Sequence, residues 1–408
     1  MSKLKELIDH LCPDGVEYTT LGKVAEIKRG VRVVKSNLET QGDIPVYQNS
    51  LTPLGYYTKS NFPADTAFVI GAGAAGEIGF SAIPYWGADD CYSIVCSSNI
   101  ISKYVYYQLA NNQIFLKSRV RTASIPRLAR SAIEQFPIPI PPIEIQEEIV
   151  KILDRFSDYA AELQAELQAR KEQYEYYRNL LLTFNPSACG CGTDGEQEIK
   201  VTTWGGHSYE IAWKTMGEIG KFIRGNGLQK KDFTDSGVGC IHYGQIYTHY
   251  GTFATETKSY VSHDFAKKLR KAKYGDLIIA TTSENVEDVG KAVAWLGKDE
   301  IAISGDSYVF SHDQNPKFIA YLLQTHRFLQ FKRMNVSGTK VTRISGESLE
   351  KYLIPIPPIE LQEKIVAILD RFETLVNDLT QGLPAEIAAV KEQYEYYRNK
   401  LLTFKKVI

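Results

Sequence analysis

"IPIPPIEIQEEIVKILDRF" occupies residues 138–156, and "IPIPPIELQEKIVAILDRF" occupies residues 354–372 of the same chain. Each copy leads to the same nine residues, "KEQYEYYRN", at 171–179 and again at 391–399, and then to "LLTF". Fainter repetition lies upstream. "TLGKVAEIKRG" (20–30) resembles "TMGEIGKFIRG" (215–225), and Ile125, Arg127 and Leu128 have counterparts in Val341, Arg343 and Ile344. Self-similarity at about half the chain length means that one architecture is written twice. Two divergent globular segments each feed a nearly identical tail.

The tail reads as a long helix. Its Pro-rich lead-in cannot lie inside a helix but suits a helix start. Behind it, apolar residues fall at Ile145, Ile149, Ile152, Phe156, Tyr159, Leu163, Leu167, Tyr174, Tyr177, Leu181 and Phe184, with Arg170 at one position of the series. Steps of four and three alternate, as in a coiled-coil seam. The second copy runs Leu361, Ile365, Ile368, Phe372, Leu375, Leu379, Leu383, Ile387, Val390, Tyr394, Tyr397, Leu401 and Phe404. It carries four more residues between the shared blocks, which predicts an added helical turn and a stutter, with Gly382 and Pro384 placed to kink it. About 40 residues at ~1.5 Å each make a rod of roughly 60 Å. An apolar stripe of that length needs a cover, so the two helices bury their stripes against each other, antiparallel within one chain or between chains.

The 408 residues are 44% hydrophobic, 11% aromatic and 23% charged, with a formal net charge of -1. No apolar run approaches the ~18 residues of a membrane span. The start, "MSKLKELIDHLC", lacks the apolar core of a secretion signal, so a cytoplasmic setting and reduced thiols are expected for the six cysteines. The globular segments hold more Lys and Arg than Asp and Glu, and the helices the reverse. Basic globules on acidic rods suit domains that meet phosphates while the rods meet protein.

"AFVIGAG", "AVAWLG" and "YVF" read as short strands, and "NIISKYVYYQLANNQIFLKS" and "PKFIAYLLQTHRFLQFKR" as one helix in each segment. The fold class is therefore mixed α/β (α+β). The division reads as a globular domain at 1–140, a helix at 141–184, a linker at 185–208, a second globular domain at 209–356 and a second helix at 357–408.

Catalytic motifs give little. "GAGAAG" (71–76) fits a dinucleotide fingerprint, but strand-like "EIGFSAIPYW" follows where a helix is required, so a turn between strands is expected. Asp14, Glu26 and Lys28 follow the order of a metal-dependent nuclease, yet the second half has Lys221 to Ile223 where Glu26 to Lys28 stand. Cys189 with Cys191, and Cys240 with His242, lack the partners of a zinc site, so a linker and a buried thiol are expected.

Two variable segments, each closed by Pro-Pro-x-x-x-Gln (Pro141, Pro142, Gln146 and Pro357, Pro358, Gln362) before a long helix, resemble the specificity subunit of type I restriction-modification systems. "LCPDGVEYTTLGKV" is similar to that family's usual opening. The resemblance covers essentially the whole chain. It implies two target-recognition domains, each reading one half of a bipartite double-stranded DNA site, separated by helices that form an antiparallel coiled coil with internal pseudo-twofold symmetry. It implies no catalytic, cofactor or metal residue on this chain. Two methyltransferase subunits would dock on the helices and carry S-adenosylmethionine, and restriction/translocase subunits would carry ATP and Mg. No membrane partner is implied. Identical helices would offer identical docking faces, which explains the repeated nine residues.

Arginine reads guanine edges and lysine holds phosphates. The DNA-binding candidates are therefore Lys28, Arg29, Arg32, Arg121 and Arg127 in the first domain, and Arg224, Lys230, Lys231, Lys340 and Arg343 in the second. Arg127 and Arg343 lead, because both halves keep them. For partner contact the candidates are Glu172, Glu175, Tyr176 and Arg178, with their copies Glu392, Glu395, Tyr396 and Arg398, while Tyr174 and Tyr177 read as seam residues. "AELQAELQ" (161–168) is a tandem repeat of four residues inside the first helix, and family members vary such repeats to change the spacer. Two readings compete with a DNA-reading subunit: a standalone metal-dependent nuclease, and a coiled-coil scaffold that does not bind DNA.

Overall fold

The computed structural model describes residues 2–122, 124–184, 200–204, 207–338, 340–378 and 380–407. Cys189, Cys191 and the seam position Leu379 lie outside the described residues. The chain divides into two units, Met1–Ala165 with Ala385–Ile408, and Glu166–Pro384. Each unit thus takes the first part of one long helix and the last part of the other.

In the first unit a four-stranded sheet has the order Ala25–Arg29, Cys91–Cys96, Thr66–Ile70, Ile78–Ser81, antiparallel throughout. The expected turn at "GAGAAG" is the loop joining Thr66–Ile70 to its antiparallel neighbour, and Gly73 and Gly76 adopt positive φ there. Only glycine takes that conformation without strain. A second sheet joins Gly55–Tyr57, Ile44–Tyr47 and Trp86–Gly87, the last pair parallel. The helix Ser102–Asn111 packs Tyr104, Val105 and Leu109 on the first sheet, and Ile145, Ile149 and Leu153 of the long helix close the same core.

The second unit repeats the plan. Gly220–Arg224, Ser307–His312, Leu277–Ala280 and Ala292–Trp295 form the antiparallel set, with Phe253–Ala254 added at the edge. Val238–Ile241 pairs antiparallel with Ser259–Val261 and parallel with Ile301–Ile303, matching the small sheet of the first unit. The helix Pro316–Leu322 supplies Phe318, Ile319 and Leu322 to a core closed by Leu361, Ile365 and Leu369.

Three sequence expectations are corrected. The stretch read as one helix in each globular segment is two: Ser102–Asn111 with Gln113–Lys117, and Pro316–Leu322 with His326–Asn335. The apolar period runs through both breaks, but Thr325 accepts the Phe328 N–H with its side chain and starts a new helix, as a hydroxyl does at an N-cap. The second long helix is also interrupted. Ile359–Asn377 stops, Leu383–Leu402 restarts, and the extra residues form the connection instead of a helical turn. Asp378 caps that connection by accepting from the N–H of Thr380 and of Gln381. A Cβ on Gly382 would lie 2.4 Å from the Thr374 carbonyl oxygen, so glycine is required. Finally, the buried stripe includes Leu153 and Leu369, which the seam series left out, while Tyr159 and Leu375 are exposed. The helices therefore bury two faces, one on the globular body and one on the other helix.

That second face is seen within each unit. In the first, Phe156 stacks on Tyr397 (5.5 Å between centroids, 27°) and the Tyr159 hydroxyl donates to Glu386 at 2.6 Å, so sequence rises on one helix as it falls on the other. The pairing is antiparallel. In the second unit Phe372 stacks on Tyr177 at 5.6 Å and 25°, the same contact between the other two helix segments.

His312 ends the strand Ser307–His312, accepts the Gln314 N–H through Nδ1 and packs on Phe310. Burial pushes its imidazole down to about 4 from an ordinary 6.5. A folded-state value below the unfolded one makes the unfolded chain bind the extra proton between those limits, so stability is lost as pH falls from 6.5 toward 4. Wild type is expected to lose stability relative to His312→Gln across that window in denaturant titrations, and parallel curves for the two proteins would contradict this.

Candidate nucleic-acid interface

The strand Ala25–Arg29 alternates, with Ala25 and Ile27 inward and Glu26 and Lys28 outward. Lys28 and Glu26 form an ion pair at 3.1 Å. Arg29, at the strand end, donates from Nε to the Asp89 carbonyl at 2.7 Å. Next to it the Gly71 N–H donates to the Asp90 carbonyl, and the Leu128 N–H to the Gly71 carbonyl. Arg127 then exchanges backbone hydrogen bonds with Arg121 and bridges to Ala72. A chain of backbone bonds thus brings Arg29, Arg127 and Arg121 to one rim of the sheet, all exposed.

The second unit builds the same rim from different residues. Arg224 donates from Nε to the Gly305 carbonyl at 3.3 Å. The Thr281 N–H donates to the Asp306 carbonyl, and the Ile344 N–H to the Thr281 carbonyl. Arg343 pairs with Thr282 on one side and Ser337 on the other. Arg29 and Arg224 are therefore equivalent, as are Arg127 and Arg343. Among the described residues, these four arginines keep guanidinium donors with no partner in the protein, available to an acceptor beyond it.

Other candidates spread further. Arg32, Lys230, Lys231 and Lys340 are exposed, and Lys230 and Lys231 sit on the short turn Lys230–Asp232. Its counterpart is Lys35–Asn37, so Lys35 stands where Lys230 does, a match that residue type alone did not reveal. Lys28 faces Ile223 in this alignment and has no counterpart.

The chemistry of the competing readings is placed differently. Glu26 is paired with Lys28, and among the described residues no three His, Cys, Asp or Glu side chains are grouped to hold a metal ion. Cys240 is buried in a strand and its thiol is pushed up to about 12 by burial, while His242 Nδ1 accepts the Gly244 N–H at a helix start. Among the described residues no helix is long and apolar enough to cross a membrane.

The repeated helix blocks hold each globular body through polar staples. Gln146 is fully buried. It accepts from the Ile101 N–H at the start of one domain helix and donates to the carbonyls of Pro141 and Asn99. Gln362 does the same with the Asn315 N–H and the Pro357 carbonyl, and also donates to Gln314. Two turns on, Asp154 takes the Tyr107 hydroxyl and the Lys103 ammonium, and Asp370 takes Tyr321 and Lys317. Sequence reasoning missed both aspartates. The signal was present, since each lies in "ILDRF" and each domain helix carries Lys and Tyr four residues apart.

Of the candidates for partner contact, Tyr176 and Tyr396 are exposed, as are Glu172, Glu392 and Glu395. Glu172 accepts from Gln168. Glu175 pairs with His326 at 2.9 Å. Arg178 and Arg398 are half-buried and turn inward, donating to Gln324 and Asn111 of their own units while lying over Tyr174 and Tyr394.

The family model "Type I restriction modification DNA specificity domain" matches residues 13–172 and 210–389. The type I restriction enzyme EcoR124I/EcoR124II specificity subunit of Escherichia coli is 31% identical over 326 residues, covering 76% of this chain and 73% of that protein. A chain of Haemophilus influenzae described as a type I restriction enzyme specificity subunit is 28% identical over 412 residues, covering 95% and 96%. The crystal structure of a type I restriction-modification S subunit from M. genitalium superposes with a TM-score of 0.57 at 15% identity, covering 95% of this chain and 96% of that one, and shares the fold. The chain belongs to the family of type I restriction-modification DNA specificity subunits. These are non-catalytic targeting subunits, and the cofactors of such systems reside on the subunits that they direct.

Proposed function

We propose that each unit reads one half of a bipartite double-stranded DNA site through its arginine rim, and that the long helices set the distance between the halves. The observation that carries this reading is the matched pair of rims, Arg29 with Arg127 and Arg224 with Arg343, built on the same hydrogen-bonded frame. The surrounding loops differ, which suits two half-sites of different sequence. Lys28, Arg32, Arg121, Lys230, Lys231 and Lys340 supply the further DNA contacts. The five-part division at residues 140, 184, 208 and 356 describes the two reading domains and their helices. Glu172, Tyr176 and Glu175, with Glu392, Tyr396 and Glu395, form the faces on which two methyltransferase subunits dock in the cytoplasm. Arg178 and Arg398 orient those faces from behind. The docked subunits bind S-adenosylmethionine, and restriction/translocase subunits bind ATP and Mg.

Modified-base sequencing of DNA from cells with and without this chain, each holding the neighbouring methyltransferase, tests the reading. A split motif methylated only when the chain is present is expected. Identical methylation in an active system would overturn it.

The helix sets the spacer in this account. The tandem "AELQAELQ" lies within the helix Ile143–Leu182, and the boundary between the units falls inside it, at Ala165. One four-residue unit spans ~6 Å of helix against ~3.4 Å per base pair. Deleting one unit is expected to shorten the methylated motif's spacer by one or two base pairs, with both half-sites unchanged. An unaltered spacer in the deletion variant would refute the ruler.

A further inference from the structure

Beyond the rim, the two units run into the same loop and then part company chemically. In the first, Arg29 ends a strand, Val33 turns inward against Val46 and Ala88, and Lys35–Asn37 forms a short turn. In the second, Arg224 ends a strand, Leu228 turns inward against Cys240, and Lys230–Asp232 forms the turn. Between these fixed points Val31, Arg32 and Val34 are exposed in one unit, and the places of the two valines are taken by Asn226 and Gln229 in the other.

The first loop is held rather than loose. The Val31 N–H donates to the Gly87 carbonyl at 2.9 Å, and the Val31 carbonyl accepts from Trp86 Nε1 at 2.6 Å. On this frame Val31 is 58% and Val34 60% exposed. Both are surplus to the core that Val33 already fills, and they stand among Arg29, Arg32 and Lys35 with no acid on the loop. Cations on both sides of an apolar pair fit a polyanion with an apolar group between its phosphates. In the major groove of DNA that group is the C5 methyl of thymine.

We propose that Val31 and Val34 read thymine methyl groups in the half-site of the first unit, with Arg32 and Lys35 on the flanking phosphates. This rests on the reading of the chain as a bipartite DNA binder. The second unit lacks the device. Asn226 spends its amide within the protein, accepting from the Arg270 N–H at 2.7 Å and donating to the Lys268 carbonyl at 2.9 Å, and Gln229 is polar.

The test uses the full chain and duplexes bearing its methylation motif, with each thymine of both half-sites replaced singly by deoxyuridine, which removes only the methyl. At one or two positions of a single half-site, binding is expected to weaken about fourfold, the size of one buried methyl group. The double variant Val31→Ala, Val34→Ala is expected to bind thymine and uracil duplexes alike, about as weakly as wild type binds uracil. The proposal falls if wild type binds both alike everywhere, or if the methyl preference survives in the double variant. If wild type shows no preference for the motif over unrelated duplex, the reading beneath the proposal falls with it.

Discussion

Arg127→Ala is expected to weaken binding to the specific duplex by roughly 5- to 150-fold, and Arg343→Ala by a similar factor, the range for losing one bidentate base contact of about 1–3 kcal/mol. The two side chains sit at equivalent places, Arg127 in an isolated bridge to Ala72 and Arg343 in a strand paired with Thr282, each partner lying just after a central strand and each arginine exposed at the rim. Neither has a carboxylate partner among the described contacts, so removing it leaves no buried charge unpaired and the fold is expected to persist. Salt separates base reading from phosphate holding. If these arginines read bases, the variants lose affinity for the motif but keep their weak binding to unrelated DNA and its slope with salt. If they hold phosphates, both affinities fall together and the slope drops by about one. Titrations of specific and unrelated duplexes at several salt concentrations decide it, and unchanged affinity at all of them would remove the arginine from the interface.

Gln362→Leu is expected to destabilise the second unit by about 2–5 kcal/mol. The side chain is fully buried, and three hydrogen bonds converge on its amide. Leucine approximates its size but leaves the Asn315 N–H and the Pro357 carbonyl without partners. Each stranded buried group costs about 1–3 kcal/mol. The loss comes where the long helix begins and where the helix Pro316–Leu322 is capped, so two elements loosen at once. Gln362→Glu keeps the acceptor toward Asn315 but, once ionised, sets a buried carboxylate oxygen against the Pro357 carbonyl and the Gln314 amide oxygen, so its stability is expected to fall as pH rises. Denaturant titration of the purified chain measures this, and a change under about 0.5 kcal/mol for leucine would show that the staple does not hold the helix.

The sequence made the duplication, the strands and the long helices legible because apolar periodicity and near-identity are direct readouts of burial. Thr66–Ile70 and Ala292–Trp295 are buried along their whole length, and continuous apolar runs announce them. What stayed hidden depends on side chains meeting across the chain. The break before Thr325 is invisible in a periodic apolar run, because one hydroxyl decides it. The four extra residues of the second tail read equally well as a helical turn or as a connection, and the Asp378 cap with the crowding at Gly382 selects the connection. Arg178 and Arg398 read as surface charges in a polar block, yet a side-chain amide of their own unit waits for each, Gln324 in a turn and Asn111 at a helix end. The rim was half legible. Arg127 with Arg343, and Arg29 with Arg224, follow from the repeat, whereas the equivalence of Lys35 and Lys230 needs the matching short turns.

Each unit, as proposed, reads its own half of one DNA site. Modified-base sequencing of cells carrying Arg127→Ala or Arg343→Ala beside the intact partner genes tests it most directly. The account predicts that one variant relaxes or loses methylation specificity in one half of the split motif, that the other does so in the other half, and that the spacer is the same in both. Relaxation of the same half by both variants, or an unaltered motif in both, would contradict it.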